Sequence, residues 1–177
     1  MRECGDCQLC CRLLPVPPLS KLAGQRCIHQ KFRKGCAVHH TAKMPLECGL
    51  WNCRWLVNDD AADLPRPDRA HYVIDLAPDF ITAQNNETGE VQHIQVVQIW
   101  CDPKYPDAHR DPALRRWIFR RAQDGIATII RFNAKDALTI FAPPLDINNE
   151  WHEIGGTATE RSHTMKEIAS ALGEGQP

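Results

Sequence analysis

VQHIQVVQIWCDPKYPDAHRDPALRRWIFRRAQDGIATIIRF, residues 91–132, reads as a strand, a helix and a second strand in succession. β-Branched and aromatic side chains crowd 91–100, the composition that suits a pleated, half-buried surface. Asp111 stands where a helix needs an N-cap, Pro112 at its first position and Gly125 at its stop. Between them Leu114, Trp117 and Ile118 fall on one face at helical spacing, so the helix has an apolar side to bury. IATIIRF (126–132) and ALTIFA (137–142), separated by Asn-Ala-Lys-Asp, predict a hairpin ended by Pro143-Pro144.

Working upstream, HYVIDLA (71–77) and DFITAQ (79–84) read as short strands broken at Pro78, with NNETGE as the turn into 91–100. Downstream, Thr164 and Glu167 form a capping box, followed by the apolar stripe Met165, Ile168, Ala169 and Leu172 and a stop at Gly173. The last residues, Glu-Gly-Gln-Pro, carry no structural signal. The expected fold class is α+β: a small, irregular, metal-stabilised cysteine-rich module, then an antiparallel sheet of four or five strands with one or two helices. The expected divisions are a cysteine module over 1–57, a connector over 58–69, the sheet and helix over 70–145, and a C-terminal segment with a short helix over 146–177.

The first third of the chain differs in kind. Residues 1–56 hold nine Lys/Arg against three Asp/Glu, a formal +6, whereas the rest holds twelve against nineteen, a formal −7. Eight of the nine cysteines fall in this basic part: Cys4, Cys7, Cys10, Cys11, Cys27, Cys36, Cys48 and Cys53. They interrupt every apolar period, and LLPVPPLSKLAG places three prolines where a long helix would run. Such a segment buries too little to fold on its own core. Met-Arg-Glu at the start lacks the apolar region of a secretory signal, and no run approaches the ~18 apolar residues of a membrane span, which predicts a cytoplasmic protein. In a reducing compartment dense cysteines point to metal binding before disulfides.

Their spacing is C-x2-C-x2-C-C-x15-C-x8-C-x11-C-x4-C. A C-x2-C turn lets two sulfurs reach one tetrahedral ion at about 2.3 Å. Cys10 and Cys11 are adjacent, and neighbours in an extended segment point to opposite sides, which suits two metal positions better than one. Eight sulfurs complete two four-sulfur zinc sites, one bridged multi-metal cluster, or one iron–sulfur cluster with spare thiols. Zinc is the expected cofactor on grounds of structural economy, with two ions; iron or an iron–sulfur cluster with a redox or metal-handling role is the alternative. No cysteine is followed by the proline common in four-iron ferredoxin motifs. His29, His39 and His40 lie among the cysteines and could replace a sulfur, His39 first, since it follows Cys36 by three. Cys101, alone after Trp100, reads as a core residue.

Cys4-Gly-Asp-Cys7-Gln-Leu-Cys10-Cys11-Arg12 resembles the bacterial CxxCxxCC cysteine-cluster family, also called YkgJ-like, a zinc- or iron-chelating domain. Members continue with a separated cysteine, a segment of the form C-x-I-Y-x-x-R-P-x-x-C and a last cysteine. The counterparts here look like Cys27, Cys36 through Met44-Pro45 to Cys48, and Cys53. The Cys36–Cys48 interval is two residues longer than that pattern, with His39 where tyrosine is common and Met44 where arginine is common. The resemblance covers about residues 3–56 and implies that the eight cysteines are ligands, while any role of the family's arginine is not carried over.

Other function classes find less support. No G-x-S-x-G, H-E-x-x-H or phosphate-binding glycine loop is present, so no catalytic residue is assigned and a non-enzyme is expected. Asp75, Asp79, His93 and Asp102 lie on or beside strands and could converge, but the outer face of a half-exposed sheet carries the same residue types. Lys31, Arg33 and Lys34 surround Phe32, yet no C-x2-C…H-x3-H finger accompanies them and the chain's net charge is −1. Nucleic acid is therefore not the expected partner. Metal ions are, and a protein partner is left open.

Overall fold

The computed structural model describes residues 2–85, 87–146, 148–157, 163 and 165–173. The fold is α+β, and its centre is a six-stranded sheet. Its chain order is β3 (Tyr72–Ile74), β4 (Asp79–Gln84), β5 (Val91–Cys101), α5 (Pro112–Gln123), β6 (Ala127–Arg131), β7 (Asp136–Phe141) and β8 (His152–Thr157). A small hairpin, β1 (Gln30–Lys31) with β2 (Gly35–Cys36), and short helices α1 (Cys10–Leu13), α2 (Leu46–Leu50), α3 (Arg54–Val57) and α4 (Pro67–Ala70) precede it, and α6 (Met165–Leu172) follows.

β5 is long enough to serve two partners along one edge. β3 pairs with its end at Ile99–Cys101 and β4 with Val91–Val96, both antiparallel, the break between them falling where Pro78 stands. On the other edge β6 pairs with β5 in parallel, Ile99 opposite Ile130, and β7 and β8 continue antiparallel. The sheet is therefore mixed, where an antiparallel one was expected. The cause lies in α5: a helix between two strands carries the chain back to the starting end, so the second strand enters in the same direction as the first. β8 and the β1–β2 hairpin went unforeseen, since HEIGGT contains two glycines and the hairpin strands are two residues each.

Asp111 caps α5 by accepting the Leu114 amide at 2.8 Å, and Gly125 ends it at φ 80°, a left-handed conformation that suits glycine. The helix lays Leu114, Trp117 and Ile118 on Tyr72, Ile74, Val97, Ile99, Ile130 and Ile140 of one sheet face. Residues 58–69, expected as a connector, are part of this core: Ala61 and Leu64 are buried in it, and Trp55 donates its indole N–H to Leu64 O at 2.9 Å. Asp60 accepts from Arg54 and Arg121, whose guanidinium groups lie over the Trp117 ring, each 5.6 Å from its centroid. Acidic side chains that look like linker polarity in sequence thus pin α3 to α5.

The opposite sheet face is shared. At one end Leu9, Leu13 and Ala23 of the cysteine segment pack on Val73 and Trp100. At the other Val96, Ala127, Ile129 and Ala137 form a second cluster with Ile81, Ile94, Phe141 and Leu145, and α6 lies beside β4 and β5 with Ile168 buried. Thr164, the expected cap of α6, and the tail 174–177 lie outside the described residues. Among the described residues no helix is long and apolar enough to cross a membrane.

The division of charge now has a structural meaning. Arg12 pairs with the buried Asp102, Arg2 with Asp59 at 3.7 Å, and Asp6 receives Arg66 at 2.8 Å. Trp51 donates to Asp75 at 2.9 Å, and Cys53 forms an isolated bridge with the same residue. The basic cysteine segment is seated on the acidic remainder of its own chain.

Candidate metal centre

Residues 4–7 close a tight turn, the Cys7 amide donating to Cys4 O at 3.0 Å, with Gly5 at φ 55° where a side chain would be strained. A Cβ there would also come within 3.2 Å of Arg66 Nη1, so glycine admits a cation to the turn. α1 then begins at Cys10, held to the sheet by Leu9 and Leu13. The vicinal pair is therefore helical and not extended as expected; consecutive side chains diverge by about 100° around a helix, still too far to share one direction.

Cys27 is tied to this start by its amide, which donates to Cys11 O at 3.0 Å. The β1–β2 hairpin follows and pairs Gln30 with Cys36. Gln8 fastens the hairpin to α1, donating to Lys31 O at 2.6 Å and accepting from Gln30 at 3.1 Å. Cys48 lies on α2, and Cys53 precedes α3. All nine cysteines are free thiols: Cys4 and Cys48 exposed, Cys101 buried, the other six half-buried.

The thiols perturb one another in two groups. Hydrogen bonding from Cys7 holds Cys4 below the usual thiol range, helped by the Arg66 cation and opposed by burial and by Cys53 and Cys11. The same bond and burial push Cys7 up. Cys10, raised by its bond to Cys11 and by burial, also feels Cys4 and Cys7, while Cys53 is raised by burial and then by Cys7. Cys4, Cys7, Cys10 and Cys53 thus form one neighbourhood. Cys48 marks the other: burial raises it first, then the charges of Cys11, Cys27 and Cys36. Cys11 is brought down to about 7 by its bond to Cys10 and by the Lys21 ammonium, against burial. It stands between the two groups.

Among the described residues no three or more Cys, His, Asp or Glu are gathered closely enough to hold a metal ion. His39 and His40 are exposed, their rings 3.8 Å apart, and His29 is half-buried. The polar residues on the strands go separate ways. Asp75 accepts from Trp51, Asp102 from Arg12, and His93 lies 3.3 Å from the Thr82 hydroxyl. Asp79 accepts from Gln98 at 2.6 Å. Arg66 and Lys21 escaped the sequence reading because both come to the thiols through tertiary packing and carry no spacing signal. Compared with known proteins, the chain matches no family model, no curated protein and no solved structure.

Proposed function

We propose that the protein binds metal through Cys4, Cys7, Cys10, Cys11, Cys27, Cys36, Cys48 and Cys53, with zinc as the ion, two ions per chain and a chiefly structural role. The supporting observation is the partition of the thiols about the vicinal pair, Cys4, Cys7, Cys10 and Cys53 on one side and Cys11, Cys27, Cys36 and Cys48 on the other. Four thiolates are a complete shell for a closed structural zinc site. Loading would draw each group inward and supply the ordering that residues 26–50 do not obtain from burial, Val38, at 9% exposure, being their one buried apolar side chain among the described residues. Structural zinc contributes ~10–16 kcal/mol of apparent binding free energy in small peptides, ample for that purpose.

Charge agrees with this reading, since eight thiolates and two divalent ions would bring the +6 of residues 1–56 to about +2. Membership of the CxxCxxCC family and a cytoplasmic location, where thiols stay reduced, belong to the same proposal. The test is metal analysis of full-length protein purified anaerobically, with its absorption spectrum. Two zinc per chain are expected, falling to one in Cys7→Ser and to one in Cys48→Ser. Complete loss in both variants would replace two sites with a single bridged cluster, a brown protein absorbing near ~400 nm would replace zinc with an iron–sulfur centre, and metal-free protein with eight reactive thiols would remove the proposal altogether.

A further inference from the structure

The acidic remainder of the chain neutralises only part of the basic segment. Arg2, Arg12 and Arg54 pair with Asp59, Asp102 and Asp60. Residues 26–46 hold five further cations, Arg26, Lys31, Arg33, Lys34 and Lys43, and no Asp or Glu. Among the described residues none of the five forms an ion pair. Asp6 feels Arg33, but only after Arg66, which binds it at 2.8 Å. The whole-chain charge of −1 conceals this local excess.

The same stretch exposes apolar surface. Among the described residues the large apolar side chains more than two-thirds exposed are Ile28 at 81%, Phe32 at 71%, and Leu46 and Leu50 at 72% each. Single exposed apolar residues are ordinary, but a group drawn from one short, unneutralised cationic stretch marks an interaction surface. The β1–β2 hairpin presents its densest part. Gln30 pairs with Cys36 and Lys31 with Gly35, and the Lys34 amide closes the turn on Lys31 O at 3.0 Å. Phe32 and Arg33 therefore occupy the two central positions of the turn. The guanidinium carbon of Arg33 lies 5.1 Å from the Phe32 ring centroid, so charge and apolar ring share the tip. At the base, Gln8 ties the hairpin to α1 by donating to Lys31 O, and the Ala37 amide donates to His29 O at 2.8 Å.

Exposed apolar side chains beside unpaired cations fit the boundary of an anionic bilayer. There apolar groups enter the headgroup region, while long basic side chains keep their charges at the lipid phosphates and carboxylates. Single-stranded nucleic acid would ask for open aromatic faces. Three of the four exposed apolar residues are aliphatic, and the ring of Phe32 already carries Arg33. We propose that the β1–β2 hairpin is a peripheral docking element for anionic membrane surfaces, with Phe32 entering the interface and Lys31, Arg33 and Lys34 meeting the headgroups. The contact uses no thiol and needs no spanning segment, and its test reads lipid, so it stands or falls separately from the metal sites.

The test uses full-length protein, with its metal content measured alongside, and vesicles of phosphatidylcholine with or without phosphatidylserine. Co-sedimentation is expected with the mixed vesicles and not with phosphatidylcholine alone, and it should weaken as salt is raised. Lys31→Gln with Lys34→Gln should cost roughly fivefold in partitioning per charge removed. Phe32→Ser should cost roughly tenfold, whereas Phe32→Leu should retain most of the binding. All three side chains are exposed, so the unfolding midpoint and metal content should not change. Phe32→Trp should add emission that brominated acyl chains quench beyond the quenching seen in the parent protein. No association with the mixed vesicles at low salt, equal binding to phosphatidylcholine alone, undiminished binding in Phe32→Ser, or as large a loss in Phe32→Leu as in Phe32→Ser would each overturn the assignment. Tight binding of a mixed-sequence single-stranded RNA with none to vesicles would overturn it in favour of nucleic acid.

Discussion

Cys4 and Cys101 are opposite kinds of thiol. Cys101 is 2% exposed, and burial pushes it up to about 12, with Asp102 adding and the His109 amide opposing. Cys4 is exposed and held low by the Cys7 hydrogen bond, whereas Cys48, exposed as a residue, is raised by partial burial of its thiol and by its cysteine neighbours. Thiolate fraction sets the rate of alkylation. In metal-free protein treated with iodoacetamide at neutral pH, mass spectrometry should therefore find Cys4 modified before Cys48, and Cys101 modified only under denaturing conditions. Early modification of Cys101 would mean that the end of β5 opens locally. A lone cysteine after a strand could be read as core directly from sequence; the contrast between Cys4 and Cys48 could not, because it depends on Arg66, Cys11 and Cys36 arriving from other elements.

Two ties between elements decide how the parts are held. Arg12, on α1, is the guanidinium partner of Asp102, whose side chain is only 1% exposed, at the end of β5. Arg12→Met leaves that carboxylate with the Lys104 amide and no cation, and should lower stability in urea by about 1–3 kcal/mol. Arg12→Met combined with Asp102→Asn should recover part of the loss, since the uncompensated buried charge is then gone. The second tie joins α5 to β8: Arg115 and Trp151 donate to Glu153 at 2.7 and 2.8 Å. Burial alone would raise Glu153, but these bonds outweigh it and hold the carboxyl below its ordinary 4.5. A group whose value falls on folding stabilises above its unfolded value and loses that effect as pH drops through the folded one. Arg115 and Glu153 are each about a third exposed, so solvent screens the pair and Glu153→Gln should cost about 0.5 kcal/mol at neutral pH. Urea unfolding of both proteins should show the gap closing as pH falls below 4.5 and through the lowered folded value; a gap that widens in acid would assign Glu153 a different partner.

At the scale of the molecule, the cysteine segment is half docked and half free of the sheet. Leu9, Leu13 and Ala23 belong to a cluster with Val73 and Trp100, whereas Ile28, Phe32, Leu46 and Leu50 are each more than two-thirds exposed. Burial can hold the first group without metal, but not the second. Chelation should therefore raise amide exchange over about residues 26–50 while α1, α5 and β5 to β7 keep their protection. Uniform loss across all of them would show that metal and sheet form a single cooperative unit; unchanged exchange over 26–50 would show that metal does not order that stretch.

What the sequence determined by itself was local. The Asp111 cap, the Gly125 stop and the apolar face of α5 are set by residues within a turn or two of one another, and so are the strands over 79–84, 91–101 and 127–131. The eight-cysteine spacing is legible for the same reason, as sulfurs two residues apart are close in any fold. Tertiary structure alone decided the rest. The parallel pairing of β5 with β6 follows from how a crossover helix packs, which no strand composition records. Arg66 and Lys21 come to the thiols, and Arg131, Gln98 and Asp79 come together, across separations of 10 to 62 residues, through the sheet register and the seating of a basic segment on an acidic one. Charge and hydrogen-bond partners at that range are chosen by packing, and packing is a property of the whole chain.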